Sequence, residues 1–161
     1  MIVVADSSPI TALLHLKKLD LLTTLYGQIF IPHSVASELA TLQNFGFDLS
    51  FLLQTDKFII RRAADENFVQ RLCEVLDKGE AEGIALAKEI KADLLLIDEK
   101  LGKELAEAEH ITCKGVVGVL IEAKHRGLIF LLKPLLDDLI INLKFRLSEN
   151  IYMLALRKAG E

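Results

Sequence analysis

Residues 1–9, MIVVADSSP, decide the fold. Ile2 to Ala5 are uniformly apolar and rich in β-branched side chains, which reads as a buried strand. Asp6 ends that run. Ser7, Ser8 and Pro9 then suit a helix start, with a hydroxyl cap and a proline in the first turn. The chain therefore opens as strand, acid, helix. In open parallel sheets the functional crevice lies beyond the carboxyl ends of the strands, which is where Asp6 falls.

Moving outward, the same alternation recurs. Helical spacing runs through Leu13–Leu16 and Leu21–Leu25 until Tyr26-Gly27 breaks it. Further strands are expected at Gln28–Ile31, Lys57–Arg61, Asp93–Ile97 and Ile111–Lys114. The spacing predicts helices over His33–Thr41, Glu66–Leu76, Glu80–Lys91, from Asp98 to about Glu109, and Val116–Arg126, with a turn at Lys78-Gly79 and a stop at Gly127. Residues 42–54 are less regular. Short strands alternating with helices predict an α/β parallel sheet covered on both faces. After Gly127 the pattern is helical, Leu131–Leu143 and Ser148–Ala159. The chain thus reads as a single domain, an α/β core over 1–127 and an appended helical tail over 128–161. Ile151, Leu154 and Ala155 are the tail positions expected to meet the core or a second copy.

The length of 161 residues allows a sizeable core, and 52% apolar with 26% charged residues excludes a disordered chain. No apolar run approaches the ~18 residues that span a bilayer, and no basic segment precedes the first apolar run, so neither a membrane role nor a secretory leader is expected. Cys73 and Cys113 lack metal-like spacing and read as packing residues in a reducing, cytoplasmic setting. A net charge of −4 argues against a general polyanion binder. Acids gathered in one site can nevertheless coexist with a basic rim.

Two strands, Ile2–Ala5 and Asp93–Ile97, each run into an aspartate before a helix. Asp6 and Asp98 are either helix caps or paired acids at one edge of the sheet. Glu38 borders the inner face marked by Val35 and Leu39. Glu80 lies within the arc of Gly83, Ile84 and Ala87, whereas Glu82 falls outside it and reads as a solvated acid. Glu80 could equally serve the positive helix terminus. If Asp6, Glu38, Glu80 and Asp98 converge, each pair ~4 Å apart costs ~4 kcal/mol at an effective dielectric of 20. Such a cluster holds protons or binds a cation. All-oxygen ligands favour Mg2+ or Mn2+ over zinc, and such an ion can activate water and stabilise a phosphodiester transition state. Lys100 and Lys103, with Arg61 and Arg62, are candidates for phosphate contact. The four histidines show no ligand-like spacing.

Taken in order, VVADSSPI, IPHSVASEL, LDKGEAEGIALA and LLLIDEKLG resemble successive motifs of the PIN domain, and more closely those of its small, VapC-like prokaryotic branch. The closing GLIFLLKPLLDDL and FRLSENIYMLALRKAGE extend the likeness over nearly the whole chain. The resemblance implies a three-layer α/β/α fold and a magnesium- or manganese-dependent ribonuclease, the toxin of a toxin–antitoxin pair. Asp6, Glu80 and Asp98 would hold one or two ions, and Glu38 would complete the site or position the water. Ser8 matches the small polar position that orients the first aspartate or a water. The implied products are a 5′-phosphate and a 3′-hydroxyl, and the implied partners are RNA, a cognate antitoxin protein and a second copy in a homodimer. The third acid is a glutamate, where many family members carry aspartate, and Glu82 stands close enough in sequence to compete with it.

Two other readings compete. A phosphoacceptor signalling domain also uses strand-end acids and would employ Lys114, but it wants paired acids after the first strand and leaves Glu38 and Glu80 without a purpose. A PIN fold kept as an inactive binding module is opposed by the presence of all four acids.

Overall fold

The computed structural model describes residues 1–161. Five parallel strands form one sheet: β1 (Val3–Ala5), β2 (Ile29–Pro32), β3 (Phe58–Arg61), β4 (Leu94–Leu96) and β5 (Cys113–Lys114), in spatial order β3-β2-β1-β4-β5. Nine helices flank it: α1 (Ser7–His15), α2 (Asp20–Tyr26), α3 (His33–Ala40), α4 (Glu66–Leu72), α5 (Lys78–Glu89), α6 (Lys100–Ala108), α7 (Val116–His125), α8 (Lys133–Ile141) and α9 (Glu149–Lys158). The irregular stretch after α3 holds two 3-10 turns, Thr41–Phe45 and Ser50–Leu53, separated by Gly46 at φ +82°.

The central strands β1 and β4 are wholly apolar because both faces are covered, whereas the edge strands end on exposed Arg61 and half-buried Lys114. Val3, Ala5, Ile29, Ile31, Leu94 and Leu96 point into the larger core, where residues from α1, α2, α3, α7, α8 and α9 gather. Val4, Leu95 and Ile97 point the other way, into a second core built with α4, α5 and α6. This is a three-layer α/β/α arrangement.

The connections place the functional edge. From β1 the chain steps through β2 to β3, then returns so that β4 lies on the opposite side of β1. The strand order reverses between β1 and β4, and such a reversal opens a crevice at the carboxyl ends of the two strands. Ala5 pairs with Leu96 in register, so Asp6 and Asp98 leave the sheet on either side of that crevice.

Several expectations need correction. Lys78 and Gly79 are not a turn; they are the first residues of α5, which begins early because Asp77 caps it. The helix expected to reach Leu76 ends at Leu72. Cys73 is exposed and Cys113 half-buried at the short edge strand, so Cys73 is no packing residue. The helical tail is not an addition to the outside, because Leu136, Leu139, Ala155, Leu156 and Ala159 belong to the same core as β1. Of the three tail positions expected to meet the core or a second copy, Ala155 meets the core, while Ile151 and Leu154 are 48% and 39% exposed and do not pack into it.

Candidate active site

Asp6 follows β1 directly, and its amide donates to the Leu96 carbonyl at 2.9 Å. The residue is 2% exposed, and its side chain makes no capping bond to α1. The cap reading therefore fails here. Its Oδ1 is buried without any hydrogen-bond partner. Burial pushes the carboxyl up to about 7; the Ser7 backbone N–H opposes this, and Asp77, Glu80 and Glu38 add to the rise.

Asp98 lies beyond the end of β4, and it does not cap the helix that follows it, since Glu99 occupies that position. Instead its Oδ1 accepts the N–H of Val116 at 3.0 Å, the first residue of α7. Its Oδ2 is buried and unpartnered. Burial raises this carboxyl to about 6, with Val116 N–H and the Lys103 ammonium pulling down and Glu99 pushing up. Gly115 makes the approach possible: a Cβ there would overlap Asp98 Oδ1 and stand 3.0 Å from Lys103 Nζ.

The first turn of α5 brings in further acids. Asp77 Oδ1 accepts the Glu80 N–H at 2.8 Å, and Glu80 Oε2 accepts the Asp77 N–H at 3.3 Å, a reciprocal capping box. Glu80 is thus engaged at the helix terminus, and it is also 7% exposed and close enough to Asp6 to raise its pKa. Burial, with Asp77 next, raises Glu80 in turn. Glu38 approaches from α3. A Cβ on Gly79 would lie 3.0 Å from Glu38 Oε2 and 3.5 Å from Asp6 Oδ1, so a side chain at 79 would crowd both acids. Burial raises Glu38, the Ser7 hydroxyl lowers it, and Asp77 raises it.

Asp6, Glu38 and Glu80 therefore form one acidic group, with Asp77 as a fourth member. Asp98 stands on the neighbouring strand end, in the influence of Lys103 and Glu99. A cleft of about 630 Å³ joins the halves, with Glu38, Asp98, Ser7 and Ser8 among its lining residues. Lys100 lines this cleft too, its side chain 92% exposed and 3.9 Å from Glu104. Lys103 lines the adjoining cleft with Asp98. Arg61 is drawn to Glu89 at 3.7 Å, and Arg62 reaches His33 Nδ1 at 3.2 Å.

Glu82 departs from expectation. It is 5% exposed, not solvated, and its two oxygens accept the N–H groups of Ser34 at 2.8 Å and Ala63 at 3.2 Å. Burial opposes the charge, but these hydrogen bonds outweigh it and hold Glu82 below the usual glutamate range. It ties α3 to the segment after β3.

Asp77, Lys144 and Arg146 escaped the sequence reading. The spacing Asp77-Lys78-Gly79-Glu80 is a recognisable capping signature, so Asp77 had a signal. Lys144 and Arg146 line the main cleft from the α8–α9 connection, and no local pattern marks them.

No three histidine, cysteine, aspartate or glutamate side chains stand in an arrangement that could ligate one ion as they are. The donors present still suit a hard divalent cation. Asp6 Oδ1 and Asp98 Oδ2 are buried carboxylate oxygens with nothing to bind, and Mg2+ commonly takes one or two carboxylates and keeps several waters.

No curated protein and no solved structure matches this chain. A family model described as the PIN domain matches residues 2–161, which includes the helical tail. The chain belongs to the PIN-domain family, whose members are generally nucleases.

Proposed function

We propose that the protein is a Mg2+- or Mn2+-dependent ribonuclease that hydrolyses RNA phosphodiester bonds. One observation carries this reading: two carboxylate oxygens, Asp6 Oδ1 and Asp98 Oδ2, are buried without partners on either side of the strand-order reversal. Two such groups at neutral pH need either protons or a cation. Asp6 and Asp98 would hold the ion, with Glu80 contributing its remaining oxygen. When bound, a divalent ion neutralises charge on the phosphodiester and lowers the pKa of water.

The chain's own residues do the rest. Glu38, exposed at the rim with a raised pKa, accepts the proton of the attacking water. Asp77 and Glu80 keep the field around Asp6 negative. Ser7 and Ser8 face the cleft and can orient a water or a phosphate oxygen. Water attack leaves a 5′-phosphate and a 3′-hydroxyl. Motif likeness to the small VapC-like branch supports a toxin role, with an antitoxin protein and a second copy as partners and the cytoplasm as the compartment. The phosphoacceptor reading loses ground, because the Lys114 it needs is bound to Glu122 at 2.6 Å.

The test is cleavage of a mixed-sequence RNA with Mg2+, with Mn2+ and with chelator, followed by identification of the new ends. Metal-dependent cutting by the wild type, lost in Asp6→Asn with the fold intact, is the expected result. Cutting retained by Asp6→Asn or by chelated protein overturns the proposal, and RNA binding without any cutting assigns the chain to the binding modules.

A further inference from the structure

Glu38, Asp77 and Asp98 line a longer trough. Three adjoining clefts of about 410, 630 and 320 Å³ cross the carboxyl edge of the sheet. The first two share Glu38; the second and third share Asp98, Phe145 and Arg146. Cations stand along it: Arg62 and Lys78 at one end, Lys144 and Arg146 over the middle, Lys103 and Lys158 at the other end. None of the six forms an ion pair with a carboxylate, although the chain has 23 acids for 19 lysines and arginines. Cations left unpaired beside acids in such a chain are free to meet a polyanion.

The α8–α9 connection presents two of them on a fixed support. Leu143, Phe145 and Leu147 pack against the main core, and the intervening Lys144 and Arg146 are exposed. Phe145 N–H donates to the Leu139 carbonyl at 2.9 Å, and Lys144 takes the left-handed conformation at φ +56°. The strap therefore alternates apolar inward and cationic outward above Asp98.

We propose that Lys144 and Arg146 hold backbone phosphates of an RNA strand laid along this trough, with Arg62 and Lys78 holding the strand beyond the acids. The inference rests on the ribonuclease reading. Without an aromatic platform the grip is electrostatic, so binding weakens steeply with salt.

The experiment measures fluorescence anisotropy of a short labelled single-stranded RNA on full-length Asp6→Asn protein in chelator, across a salt series. Adding Lys144→Glu and Arg146→Glu is expected to weaken binding about tenfold at low salt and to flatten the slope of log affinity against log salt by about 1.4, two contacts at ~0.7 each. The charge-matched control Lys57→Glu with Lys91→Glu alters the opposite edge of the sheet and changes neither. Arg146→Gln alone, a milder change, gives about half the slope effect if the double variant does not fold. Unchanged affinity and slope in a folded strap variant overturn the inference and leave the trough to an acidic polypeptide, with the ribonuclease reading intact. If the Asp6→Asn parent binds no RNA at any salt, the ribonuclease reading itself fails.

Discussion

Asp98 Oδ1 accepts the backbone N–H of Val116 at 3.0 Å while Asp98 Oδ2 stays buried and unpartnered. One oxygen secures the start of α7, and the other is the one the proposed function gives to the metal. The two duties separate by substitution. Asp98→Asn keeps an acceptor for Val116 and removes a buried charge, so in chelator at about pH 8 it should melt above the wild type, yet lose metal-induced stabilisation and cleavage. Asp98→Ala also loses the capping bond, about 1 kcal/mol, and should melt about 2–4 °C below Asp98→Asn. Equal melting of the two variants would show that the Val116 bond adds no stability.

Asp6 predicts an inverted response to pH. Its pKa rises from 3.8 unfolded to about 7 folded, so the folded state binds the extra proton between those values. Its stabilising contribution is full below about pH 4 and is lost as pH rises through 7. Asp98, raised to about 6, behaves alike over a narrower window. In chelator, Asp6→Asn should therefore be more stable than the wild type at about pH 8, by on the order of 2–4 kcal/mol, and lose that advantage near pH 4. Stabilisation of the wild type by Mg2+ should grow with pH, because the ion replaces those protons. Thermal melts with and without Mg2+ measure both, and a Mg2+ effect larger at about pH 5 than at pH 8 contradicts the assignment.

Glu82 has the opposite sign. Hydrogen bonds from Ser34 and Ala63 hold its pKa below 4.5, so its contribution is present above that value and is lost as pH falls through the folded pKa. Glu82→Ala strands two N–H donors and should cost about 2–3 kcal/mol. The response to Mg2+ should not change. Urea unfolding with and without Mg2+ checks it; a lost Mg2+ response would move Glu82 into the acid group.

Gly115→Ala tests the packing behind Asp98. The added Cβ would overlap Asp98 Oδ1, so the carboxylate or α7 must shift, at about 1–3 kcal/mol. Cleavage should fall more steeply than stability, because the shift is centred on a proposed ligand. Wild-type cleavage in this variant would show that Asp98 tolerates displacement.

Much of this architecture could be read along the chain, since β1, β2 and β4 are short apolar runs closed by an acid or a proline. Asp6 and Asp98 were visible as strand-end acids, although nothing local showed that neither would cap the helix after it. Val116, which claims Asp98, is eighteen residues away on another element. Glu82 was misread because helical periodicity reports which side faces the core, and cannot show that the far side meets Ser34 and Ala63. Asp77 had a capping signature that passed as an ordinary turn beside Lys78-Gly79. Lys144 and Arg146 had none: their position over the cleft depends on how α8 and α9 pack against β1.

That packing joins distant parts of the polypeptide. Val3 and Ala5 share a hydrophobic interior with Ala155 and Ala159, far along the chain. The acids that line the main cleft and the cationic strap that faces them come together only once α9 has been made. A premature stop ahead of α9 therefore yields a fragment with its acids present but its interior open.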